Sequence, residues 1–173
     1  MRDYLKILVI ILIGLIIAVM VYPFLHETGH FIAAKMVSSE VVTFNIFPQA
    51  YVECNILNVT KTGVFAIGIA GNLIPSIIVI AASIIRVNKF NLWYVRFYVT
   101  FVCWLSYVIS IISVIATAFI KETNTQDDLV RVVQLYPDTI TIGCVFSLIM
   151  VIILTLLIIK DRPIKRFKAY AYD

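Results

Sequence analysis

The amino-acid sequence predicts an all-α polytopic membrane protein, with four transmembrane helices and a small β-hairpin-like insertion after the first. Three observations predict it. Of 173 residues, 62% are hydrophobic and only 14% charged, and the mean hydropathy is +1.01, too little polar surface to clothe a water-soluble domain. The excess falls into four stretches, residues 5–34, 64–85, 97–119 and 139–159, each long enough to cross a hydrocarbon layer of about 30 Å as a helix. Finally, an isolated segment in lipid can satisfy its backbone only as a helix. Little remains for a soluble domain, so residues 1–173 are expected to form one membrane-embedded unit.

The first helix is expected to run from about Leu5 to Val37, with a kink at Pro23. Its apolar run is too long for a signal-peptide core and no small-x-small site follows, so it reads as a retained span. Residues 38–62 change character: Val41–Phe47 and Tyr51–Ile56 are rich in β-branched and aromatic residues, with Pro48-Gln49-Ala50 between them, a hairpin pattern. The short polar connection at 87–94 makes spans two and three antiparallel neighbours. After Lys121, the run Leu129–Leu135 reads as a short amphipathic helix, capped by Asp127 or Asp128 and ended by Pro137.

The net charge of +4 comes from 14 basic residues set against 10 acidic ones, and their positions speak of orientation, not of nucleic acid. Ten of the 14 (Arg2, Lys6, Arg86, Lys89, Arg96, Lys160, Arg162, Lys165, Arg166 and Lys168) fall on one side of a four-span chain and four on the other. The positive-inside bias then predicts a cell-membrane protein with both termini cytoplasmic. The tail Lys160–Lys168 reads as a basic anchor for anionic headgroups. Cys54, Cys103 and Cys144 show neither metal-ligand spacing nor a disulfide framework.

His26-Glu27-Thr28-Gly29-His30 fits H-E-x-x-H. On a helix, positions i and i+4 share a face, so both imidazoles can reach one metal, while the intervening glutamate can hold and deprotonate a water. Zinc suits such a site, being redox-inert and content with three protein ligands and an open position. The chain has no other histidine, and apart from this cluster no Asp, Glu, Lys or Arg lies within the core of a predicted span. Charged groups at mid-span cost about 2.5–3.5 kcal/mol on insertion scales, so the cluster is not expected to persist without a partner; the bland alternative is a polar patch at the helix end, hydrogen-bonded to headgroups or to other spans. A third ligand is needed, and a carboxylate would offset the double charge; the candidates are Glu40, Glu53, Glu122, Asp127, Asp128 and Asp138. Asp127-Asp128 stands out because it opens a helix between spans three and four.

These residues resemble the site-2 protease family of intramembrane zinc metalloproteases. His26–His30 matches that family's first motif, and Gly68-Ile69-Ala70-Gly71-Asn72 its G-x-x-x-N element. Asp128-Leu129-Val130-Arg131-Val132 keeps the Arg and apolar spacing of the third element but lacks its glycines and its asparagine-proline lead-in. The resemblance implies hydrolysis of peptide bonds in or near transmembrane segments of membrane-protein substrates. It implies Zn2+ on His26, His30 and Asp128 (Asp127 being the alternative), Glu27 as catalytic base and Asn72 as substrate-binding. An extended substrate could pair with the hairpin edge. Two alternatives stay open: a different membrane metallohydrolase, expected to lack the Gly68–Asn72 element, and a non-catalytic metal-binding membrane protein, which has no use for Glu27.

Overall fold

The computed structural model describes residues 2–46, 48–84, 93–120 and 127–172, the side chains of 2, 3, 120 and 170–172 excepted. Phe47 of the expected hairpin, most of the 87–94 connection and the candidate ligand Glu122 lie outside the described residues.

Helix α1 (Arg2–Ile16) passes through one π turn (Ile17–Val21) into α2 (Tyr22–Met36). Pro23 has no N–H for the carbonyl four residues before it. The Tyr22 N–H reaches back to the Ile17 carbonyl, an i→i+5 bond that widens the turn without ending the helix. The irregularity expected at Pro23 is therefore a π turn just ahead of it. Beyond α2, Ser38 takes a left-handed φ of 58° and swings the chain into β1 (Glu40–Asn45), antiparallel to β2 (Tyr51–Asn55) with a bulge between Val41 and Thr43. Phe31 of α2 stacks on Phe44 with ring centres 5.1 Å apart, and Ser39 Oγ donates to the Asn55 carbonyl at 2.8 Å. The hairpin is thus held against the helix that carries the two histidines.

Helix α3 (Lys61–Ile84) crosses α2 at backbone contact. A Cβ on Gly29 would lie 2.8 Å from the Ala70 carbonyl carbon and 3.1 Å from Gly71 Cα. Backbone cannot give way, so this crossing admits only glycine, as small residues do elsewhere between membrane helices. The crossing sets His26–His30 directly against Gly68–Asn72.

Helices α4 (Trp93–Ile120) and α6 (Ile140–Asp161) complete the bundle around a core of Ile17, Val79, Val99, Cys103, Met150 and Leu154. Trp104 Nε1 donates to Thr155 Oγ1 at 3.0 Å, and the Arg96 guanidinium grips Asp161, Nε to Oδ2 at 2.7 Å. Between α4 and α6 lies α5 (Asp128–Leu135), whose Leu129, Val130, Val132 and Val133 are buried. Gly68 makes room for it, since a Cβ there would collide with the Val132 methyl. Lys61 pairs with Asp138 in the 3-10 turn Pro137–Thr139 that follows. The basic tail is itself a helix, α7 (Pro163–Tyr172): Arg162, at φ 47°, ends α6, and Pro163 opens the next helix at the position that suits it.

Among the described residues, four helices are long and apolar enough to cross a membrane: Tyr4–Met36, Lys61–Ile84, Trp93–Phe119 and Pro137–Ala169. Leu8, Leu12, Leu15, Ile112, Leu148 and Ile152 point outward and exposed. In water this would be a large aggregation-prone surface; it is compatible with a multi-pass membrane protein. The three cysteines are free thiols.

Candidate metal centre

Helix α2 supplies His26 and His30 one turn apart, and α5 brings Asp128 across to them. His26 Nε2, His30 Nε2 and Asp128 Oδ2 form a triangle with every side 3.0 Å. His30 is 6% exposed. Coordinating atoms of His26, Glu27 and His30 lie within 4.8 Å of one another, so Glu27 stands beside this triangle.

The far side of each imidazole decides its chemistry. His30 Nδ1 lies 2.7 Å from the Ile67 carbonyl. A carbonyl only accepts, so Nδ1 carries the proton and a neutral ring leaves Nε2 with a bare lone pair. His26 Nδ1 lies 3.1 Å from Asn72 Oδ1, which imposes the same tautomer. Asp128 turns Oδ2, a carboxylate oxygen that only accepts, towards the same point. Three lone-pair donors therefore converge, and a cation or a shared proton among them relieves their mutual repulsion. The donor set suits zinc, which tetrahedrally holds neighbouring nitrogen and oxygen ligands about 3.3 Å apart. The triangle is only a few tenths of an ångström tighter, and outer partners on metal-bound histidines take this form.

The backbone of α3 is what lets the imidazoles converge. A Cβ on Gly71 would stand 2.6 Å from His26 Cε1 and 2.7 Å from its Nε2, and would collide with His30 Nε2 as well. With both Nδ1 atoms tethered, neither ring can turn aside. Gly71→Ala is accordingly expected to lower zinc affinity by about 10- to 100-fold, the range for losing a supporting contact, with helix content by circular dichroism unchanged. Competition with a zinc-chelating dye measures it.

Asp127 and Asp128 separate cleanly. Asp127 is the N-cap of α5: its Oδ1 accepts from the Val130 N–H at 3.1 Å, and its Oδ2 accepts from Ser110 Oγ on α4 at 2.7 Å. It anchors the start of α5, and Asp128, the next residue, reaches the histidines. Of the other candidate carboxylates, Asp138 pairs with Lys61, Glu40 lies in β1, and Glu53 of β2 lines the cavity in front of the site. That cavity, of about 540 Å³, is floored by His26, Glu27 and His30, with β2 on one side and Arg131, Val132 and Leu135 of α5 on the other.

Asn72, expected to bind substrate, is not among the residues lining the cavity. Its Oδ1 accepts from Tyr22 OH at 2.6 Å and from Ser106 Oγ at 2.8 Å, besides His26. What the structure gives Asn72 is the orientation of His26. Tyr22, Ser106, Ser110 and Gly71 belong to the site and escaped the sequence reading; only Gly71, inside the G-x-x-x-N element, carried a local signal. Comparison with protein-family models, with curated proteins and with solved structures gives no match.

Proposed function

We propose that this chain is a membrane-embedded zinc metallopeptidase. More particularly, we infer an enzyme of the site-2 protease kind, cleaving peptide bonds in or near transmembrane segments of membrane-protein substrates. The observation that carries this reading is the convergence of two imidazoles of fixed tautomer and one carboxylate, with Glu27 beside them, on the floor of a cavity that β2 borders.

His26, His30 and Asp128 would hold the zinc, which when bound supplies a Lewis acid and lowers the pKa of water to about 7. Glu27 takes the proton of the attacking water as the new carbon–oxygen bond forms. It then delivers that proton to the amide nitrogen as the carbon–nitrogen bond breaks, so the reaction consumes one water and releases a carboxylic acid and an amine, which at neutral pH become a carboxylate and an ammonium. Asn72 and the Ile67 carbonyl keep the imidazoles facing inward. The outer edge of β2 supports binding of an extended substrate by strand addition, which uses main-chain bonds and tolerates varied side chains; Val52 of β2 and Glu27 line the same cavity, so that strand lies near the base. The distribution of basic residues supports cytoplasmic termini, with the cavity opening towards the other face.

The test is cleavage of a tagged single-span polypeptide by the purified chain in proteoliposomes. Cleavage is expected to stop on treatment with a membrane-permeant zinc chelator and to return on adding zinc. Cleavage that survives the chelator with zinc removed would refute the metallopeptidase reading.

A further inference from the structure

A second cavity lies at the opposite end of the bundle from the metal centre. It measures about 350 Å³ and is walled by Ile10 of α1, Trp93, Phe97 and Tyr98 of α4, and Phe167 and Lys168 of α7. Its depth follows from the spans: the walls come from the first part of α1, the first turns of α4 and the helix just beyond α6. Tryptophan and tyrosine at span ends sit at the level of the headgroups. Helix α7 is amphipathic here, turning Pro163, Ile164 and Phe167 to the cavity while Lys165 and Arg166 stay exposed. Lys168 is among the lining residues and is exposed, and a lysine can lay its aliphatic stem on an apolar wall while its ammonium extends to the rim.

An apolar hollow in this position has no reason to hold water, which needs polar partners; acyl chains are the surrounding solvent. The rim selects among lipids. Among the described residues no carboxylate pairs with Lys165, Arg166 or Lys168, and Asp161 at the end of α6 is taken by Arg96. We propose that this cavity is a binding site for an anionic glycerophospholipid, one acyl chain against Trp93, Phe97 and Phe167 and the phosphate on Lys168. Helix α7 then lies flat in the interface over a bound lipid, its cationic face towards the headgroups.

Trp93 is the reporter. With Trp104→Phe it becomes the sole tryptophan of a chain that has two, and its quenching is followed in phosphatidylcholine vesicles titrated with brominated phosphatidylglycerol or brominated phosphatidylcholine. Phosphatidylglycerol is expected to be preferred about fivefold, the effect of one lysine at an anionic headgroup, and Lys168→Gln to abolish the preference. Equal quenching by the two lipids, or a preference untouched by Lys168→Gln, would overturn the site. Native mass spectrometry of the unsubstituted chain gives a reading independent of both variants. There, one phosphatidylglycerol retained through detergent exchange supports the site, and equal loss of both lipids overturns it.

Discussion

Glu27→Gln is expected to leave zinc and fold in place and to lower cleavage by about 10²- to 10⁴-fold, the span of general acid–base effects. Glutamine keeps the size and shape of the side chain beside the metal triangle but can no longer accept the proton of water. The substitution leaves the ligand atoms of His26, His30 and Asp128 untouched, so metal content separates a lost base from a lost site. Measured turnover near that of the parent chain would mean that another group activates the water. Full zinc with no cleavage by either form would point to a metal-binding scaffold.

Asp128→Asn is expected to weaken zinc binding by more than about 100-fold, beyond the range seen for outer-shell partners. The change removes the only anionic corner of the triangle and leaves two neutral imidazoles to hold a doubly charged ion. Asp127→Asn should cost about fivefold or less. Asparagine caps helices as well as aspartate does, and its amide can still meet both the Val130 N–H and the Ser110 hydroxyl. Zinc affinities of the two variants, measured by dye competition, decide the matter. Equal losses would mean that the geometry of α5 matters more than the charge, and the reverse order would move the ligand to Asp127.

The two aspartates also show where sequence reading stops. The four spans were legible because length and apolarity are local properties. So was the pairing of His26 with His30, because four residues make one helical turn. Asp127 and Asp128 are chemically identical neighbours at the start of one helix, and either could cap it. They part only in three dimensions, where the extended backbone of Asp127, at φ −73° and ψ 124°, commits its carboxylate to Ser110 and the helix end. Asn72 illustrates a second limit. A polar amide in a span is as readily a substrate contact as a packing group; its meeting with Tyr22, 50 residues away, and with Ser106, 34 residues away, exists only once three helices are assembled. Helix α7 was read as charge alone, though Pro163 at its first turn and the spacing of Pro163, Ile164 and Phe167 carried a helical signal.

Everything proposed for the reaction rests on zinc held by α2 and α5, and elemental analysis of the purified chain tests that most directly. Protein prepared without chelator is expected to carry about one zinc per chain. His30→Ala, which removes the most buried corner of the triangle, should carry almost none, with its helical circular dichroism preserved. Parent protein free of metal, or a zinc content unchanged by His30→Ala, would contradict the account.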